Sequence, residues 1–322
     1  MARMRRTVPG FFVVFLAVAA CASPGATPGS TAPDATSGAS RSPAPTGGND
    51  GAIEHPTGAD EAVLVMEETG GMIAGGDATQ VPTFVMLVDG RVIIQGAQTL
   101  EFPGPALPPL IERTLTEDGI QEVLEAVEET NLFTTDTALT AAQNIITDVT
   151  DTVFTLNANG TEVTVSAYGL CCLDATMLDN DMIDPAEREA YEVLAQLRDA
   201  LMTIDTSVSA DAWEAEGWQP YGPEAFRLYV RDVTGEPTQG DVPEQVREWP
   251  TDEDPAGFGE DAGFGDGTTC GVVEGEAGQA WLADLNAANQ VTVWTSDGDD
   301  RWSVRARPLL PHEEATCPDP AG

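Results

Sequence analysis

The sequence predicts an α+β fold: two small units of antiparallel β-hairpins packed with helices, set after a disordered tether. Three observations carry this. Two apolar runs, 83–88 and 91–95, flank Asp89-Gly90, whose glycine supplies the positive φ of a tight turn. Ile120, Val123, Leu124 and Val127 recur at i, i+3, i+4 and i+7, the stripe of an amphipathic helix. Hairpin patterns then return at 152–166 and 291–306.

The chain opens with a basic head, Arg3, Arg5 and Arg6, followed by a short apolar run from Phe11 to Ala20. Such a run falls short of the ~20 residues that span a bilayer, and reads as an export signal over residues 1–20. Its end, Val18-Ala19-Ala20-Cys21, resembles the bacterial lipobox, which implies diacylglycerol on the Cys21 thiol. Two acyl chains anchor stably where one does not. The expected location is therefore the cell membrane, on its extracytoplasmic face. Ordinary cleavage near Ala20, with Cys21 incidental, is the competing reading, and Arg5-Arg6 is also compatible with a twin-arginine signal.

Residues 21–59 hold chiefly Ala, Ser, Thr, Pro and Gly, and nothing apolar larger than Ala comes before Ile53. That composition cannot offset ordering entropy and predicts a tether. As a coil it spans about 35 Å, and stretched about 120 Å.

A first unit is expected at 60–205. Residues 62–66 read as a strand, and 83–95 as the hairpin above. Residues 103–109 carry four prolines and read as a loop. Thr116 opens the amphipathic helix, with Glu117 and Asp118 suited to its N-terminal dipole. Residues 152–156 pair with 162–166 across Asn157-Ala158-Asn159-Gly160. Asp184-Pro185-Ala186-Glu187 is a capping box with Pro at the first helical position, and Tyr191, Leu194, Leu197 and Leu201 give the inner face of that helix.

A second unit is expected at 206–322. Residues 225–231 and 270–273 read as strands, 277–288 as a helix and 291–306 as a hairpin. Between them lies a long acidic loop, 235–269. It contains a short tandem repeat, Ala256-Gly257-Phe258-Gly259-Glu260-Asp261 then Ala262-Gly263-Phe264-Gly265-Asp266-Gly267, which reads as disordered.

Composition narrows function. The 322 residues carry 54 acids against 14 basic residues, all Arg, for a formal net charge of −40. Nucleic acid is excluded as a partner, since a polyanion would be repelled. With Cys21 lipidated, Cys171, Cys172, Cys270 and Cys317 remain, and an exported protein permits disulfides. The favoured pairing is Cys270–Cys317, which ties down the tail, together with Cys171–Cys172; cross-pairing between the units competes with it.

Several stretches of residues 61–205 resemble an uncharacterised domain of exported bacterial proteins: Val88-Asp89-Gly90-Arg91-Val92, Leu115-Thr116-Glu117-Asp118-Gly119-Ile120 and Thr147-Asp148. With Tyr221-Gly222-Pro223-Glu224-Ala225-Phe226 and Arg307-Pro308-Leu309-Leu310-Pro311, the mature chain resembles actinobacterial lipoproteins of unknown function. The absence of Lys and the abundance of Ala, Gly, Asp and Val match the product of a GC-rich genome. No activity and no cofactor come with the resemblance.

Catalytic signals are thin. The two histidines are His55, in the expected tether, and His312, in the tail, and no Gly-x-Ser-x-Gly elbow or phosphate loop occurs. A non-enzymatic binding or interaction module at the cell envelope is the first expectation, with a cell-wall polymer or another envelope protein as partner. A calcium-binding protein is the alternative, with Asp179, Asp181 and Asp184 as candidate ligands against a plain helix-cap role for Asp184. A cell-wall enzyme is the third. Arg301, Arg305 and Arg307 share one face of a strand, where they either hold an anionic partner or pair with neighbouring acids. Trp213, Trp218 and Tyr221 either stack sugars or pack the two units together.

Overall fold

An apolar alternation begins the first sheet in the computed structural model, which describes residues 51–71, 77–237, 242–296 and 298–318. Ala62–Thr69 (β1) lies between Phe84–Leu87 (β2) and a later hairpin. β2 turns at Asp89-Gly90 into Arg91–Gln95 (β3). Gly90 has φ +82°, and a Cβ there would lie 2.3 Å from the Leu115 carbonyl oxygen, so glycine is required twice over. Leu110–Thr114 (β4) follows the proline loop and pairs with β3.

Glu117–Glu129 (α1) is capped by Thr116, whose hydroxyl accepts from the Gly119 N–H, and buries Ile120, Val123, Leu124 and Val127. Thr137–Leu139 (β5) runs parallel to the outer strand of the next hairpin. That hairpin is Asp151–Ala158 (β6) and Thr161–Tyr168 (β7). Its turn is the two-residue Asn159-Gly160, with φ of 51° and 72°, tighter than the four residues expected. A short turn of helix, Ala175–Leu178 (α2), precedes Pro185–Met202 (α3), and Ile204–Ser207 (α4) follows. Gln219–Pro220 (β8) then completes a sheet ordered β5-β7-β6-β1-β2-β3-β4-β8.

The second sheet takes Ala225–Asp232 (β9), Gln245–Glu248 (β10), Glu260–Asp261 (β11) and Thr269–Val273 (β12). Gly275–Leu285 (α5) leads to the hairpin Thr292–Thr295 (β13) and Arg301–Leu309 (β14). The order is β10-β13-β14-β9-β12-β11, with β10 and β13 parallel. Both sheets are thus mixed, mainly antiparallel and packed with helices, an α+β fold.

Period-2 alternation gives the first sheet two buried faces. Phe84, Met86 and Val92 join the helices α1 and α3 in one core. Val85, Leu87 and Ile93 face the other way, against Leu310 beyond β14 and the side of Tyr221. In the second sheet, Phe226, Leu228 and Val230 pack on α5 and an aromatic column. There Trp249, Trp281 and Trp294 stand with ring centroids 4.8 and 4.9 Å apart.

Three boundary expectations change. Order begins before residue 60: Ile53 is buried in the first core, its N–H donates to Gln121 Oε1, and its carbonyl accepts from Gln121 Nε2. The halves do not part at residue 205, because Ala212 and Trp213 belong to the first core and β8 pairs with β4. Loop 235–269 contains two strands and buries Trp249 and Phe258. Its repeat is ordered: Phe258 lies over the bare Cα of Gly271, and the Asp254, Asp261 and Asp266 carboxylates accept from the N–H two residues on.

Candidate binding cleft

Residues 96–109 cross from β3 to β4, and their four prolines have no N–H to donate to a ladder. They are lashed to the turn after α5 instead. Gly104 N–H donates to Gln290 Oε1 (3.1 Å), Gln290 N–H donates to the Gly104 carbonyl (2.9 Å), and Ala106 N–H donates to the Ala288 carbonyl (3.2 Å). Between this loop, residues 79–81 and β14 lies a cleft of about 450 Å³, within the range of ligand sites.

One wall of the cleft is strand edge. The ladder of β13 on β14 stops at Ser303, whereas that of β9 continues to Leu309. The Arg301 carbonyl accepts from Val233 N–H, on the β9 side. Alternation therefore points the main-chain groups of Ala306 away from β9, toward the cleft. The other walls are amides and prolines: Gln80, Gln95, Gln98, Asn289 and Gln290, with Pro105, Pro108 and Pro109. Glu101 and Arg305 are the ionisable residues among the described ones that line it. Leu100 and Phe102, which alternate with Thr99 and Glu101, are 105% and 69% exposed. The arrangement supplies hydrogen-bonding amides, an open strand edge and two apolar side chains. It supplies no nucleophile–base pair.

The residues singled out from sequence take these places. Cys21 lies outside the described residues. The two disulfides are Cys171–Cys172 and Cys270–Cys317, with Cα separations of 3.8 and 6.0 Å. Asp184 caps α3, its Oδ1 accepting from Ala186 N–H at 2.9 Å; Asp179 pairs with Arg188 at 3.4 Å, and Asp181 is exposed. They do not converge, and among the described residues no three acidic, His or Cys side chains form a metal-holding group. Arg301 is paired with Glu244, and Arg307 is buried in a two-pronged pair with Glu313. Arg305 has no carboxylate partner among the described residues and lies over the Phe264 ring at 5.6 Å.

The aromatic trio packs. Trp213 is buried, edge-on to Trp218 at 5.7 Å and under the Arg113 guanidinium at 4.1 Å. Tyr221 sits at the second face of the first sheet, where burial pushes its hydroxyl up to about 12. His55 is not in a tether: its Nε2 lies 3.3 Å from Glu117. His312 is largely buried, and that burial holds its ring below the ordinary value.

Sequence reading missed the cleft. Its walls come from residues near 80, 95–109, 289 and 305, and composition signalled only the prolines. Set against protein-family models, curated proteins and solved structures, the chain matches none. Among the described residues no helix is long and apolar enough to cross a membrane.

Proposed function

We propose that this chain is a non-enzymatic interaction module. It is held by lipid on Cys21 at the extracytoplasmic face of the cell membrane, and it docks another envelope protein at the cleft between its sheets. The observation that carries the reading is the exposure of Leu100 and Phe102, the chain neighbours of Thr99 and Glu101, which line the cleft. Large apolar side chains of this kind, beside a well-formed groove, are the usual anchors of a protein interface. The open edge of β14 supports it, since an extended segment adds main-chain hydrogen bonds at such an edge. The amide walls support recognition without chemistry. Anchoring rests on the resemblance of residues 18–21 to a lipobox and on the long segment that separates Cys21 from Ile53.

A photoreactive side chain placed at Gln98 on living cells tests the docking. The expected result is a discrete protein adduct, lost in Leu100→Asp and Phe102→Asp, and not formed from Glu189 on the exposed side of α3. Equal labelling from both positions would count against the cleft. Incorporation of a labelled lipid precursor tests the anchor, and should be abolished by Cys21→Ser.

A further inference from the structure

Acids outnumber arginines almost fourfold in this chain, so an arginine without an acidic partner is unexpected. Ten arginines are among the described residues. Eight are ion-paired: Arg91, Arg113, Arg188, Arg198, Arg231, Arg247, Arg301 and Arg307. The two that are not, Arg227 and Arg305, sit on the same face of the same sheet. Tyr229 lies directly opposite Arg305 in the β9–β14 ladder, and Arg227 is two residues before Tyr229 on that face.

Tyr229 adds an independent observation. It is 2% exposed, and its buried hydroxyl makes no hydrogen bond of good geometry, the Arg227 guanidinium being the donor group beside it. The groups that face this hydroxyl are the guanidinium groups of Arg227, Arg307 and Arg305. Glu313 neutralises Arg307, and the Arg227 Nε–H donates to the Thr316 carbonyl at 2.8 Å, which fixes that guanidinium beside the Tyr229 hydroxyl with no carboxylate on it. Above Tyr229 stacks Phe264, at 5.6 Å, itself 44% exposed and flanked by Gly263 and Gly265 at positive φ.

We propose that Arg227, Tyr229 and Arg305 form a binding site for a phosphate group. Two guanidinium forks and a phenol present donors to more than two oxygens at once, which suits a phosphate and exceeds what one carboxylate accepts. The high negative charge of the rest of the chain disfavours an anion elsewhere and leaves these two arginines, which carry no carboxylate partner, as the place for one. The site goes beyond the docking reading above, since Arg227 and Tyr229 do not line the cleft.

Calorimetric titration of the full chain, disulfides intact, at about 0.15 M salt tests the proposal. The probes are inorganic phosphate, glycerol phosphate and acetate. Saturable binding of phosphate is expected, with acetate at least tenfold weaker. Arg305→Ala and Arg227→Ala should each weaken phosphate at least tenfold. Tyr229→Phe, which removes only the hydroxyl, should weaken it several-fold, while Arg188→Ala leaves it unchanged. Near-ultraviolet circular dichroism verifies that each variant is folded. Tighter binding of glycerol phosphate than of inorganic phosphate would identify an esterified source, such as a polymer or headgroup; the reverse would identify the free ion. No saturable phosphate binding, acetate equal to phosphate, or unchanged affinity in folded Arg305→Ala and Arg227→Ala would each overturn the site.

Discussion

Single aspartates do much local work in this acidic chain. Asp89, Asp174, Asp184, Asp232, Asp254, Asp261 and Asp266 each accept from a main-chain N–H two residues ahead, closing a turn or capping a helix. Hydroxyl and backbone hydrogen bonds hold Asp174, Asp232 and Asp266 below the usual carboxylate range. A share of the negative charge is therefore turn chemistry and calls for no cation. Asp184→Ala should cost about 1 kcal/mol through loss of the α3 cap, read as a lower midpoint in urea. Calcium or a chelator should leave the melting temperature of the parent chain unchanged, because Asp184 is held by Ala186 N–H and Asp179 by Arg188. A calcium-dependent rise that Asp184→Ala abolishes would refute this. At the core of the same helix, the Tyr191 hydroxyl donates to the Leu139 and Tyr168 carbonyls at 3.0 and 3.2 Å. Tyr191→Phe leaves both carbonyls short of a donor and should cost about 1–2 kcal/mol by the same measurement.

Hairpins and helices stand or fall on a few positions within them. The turn at Gly90 binds β2, β3 and the Leu115 entry to α1, whose N–H donates to the Gly90 carbonyl at 2.8 Å. Gly90→Ala should cost at least about 2 kcal/mol, because a side chain is strained at this φ and also strikes the Leu115 carbonyl. An unchanged unfolding midpoint would show that the turn rearranges freely. The Cys270–Cys317 bond closes 47 residues and fastens the tail beside Arg227. Cys317→Ser should lower stability by about 2–4 kcal/mol, read in the same unfolding experiment. The elements legible in sequence were those with a local signal: the Asp-Gly turn, the hairpin of β6 and β7 though not its two-residue turn, the stripe of α1, the Asp184-Pro185 start of α3, and the alternation of Trp302, Val304 and Ala306. The strands β4, β5, β8, β10 and β11 were not legible. They are two to five residues long, lie at or near sheet edges, and exist because distant partners pair with them. The order in the acidic repeat was hidden for the same reason. Phe258 is held by its fit over Gly271, which no local pattern encodes. The cleft was least legible of all, since four separate stretches meet to form it.

The two sheets share one compact unit, and the segment that joins them carries a largely buried histidine. β14 leaves the second sheet and places Leu310 in the apolar face of the first. Arg307 pins this crossing by donating to the Gln80 carbonyl and to Glu313, which also accepts from Leu310 N–H. His312 follows, with a buried Nδ1 that has no hydrogen-bond partner. Burial lowers its pKa, the Arg307 guanidinium lowers it further, and Glu313 opposes both. The folded chain thus keeps this ring neutral at a pH where the unfolded chain, at about 6.5, takes up a proton. Stability from this group is complete above that value and falls as pH drops through it toward the lowered folded value. The alkaline side has the opposite sign. Burial pushes the Tyr191 and Tyr221 hydroxyls up to about 12, so their contribution is present below pH ~10 and is lost as pH rises through 12. Urea midpoints measured from pH 5 to 11 should therefore decline at both ends. His312→Gln should flatten the decline between about pH 6.5 and 5 and leave the alkaline limb in place. If the acid limb of His312→Gln runs parallel to that of the parent chain, the histidine at the crossing is not what makes the joined sheets sensitive to acid.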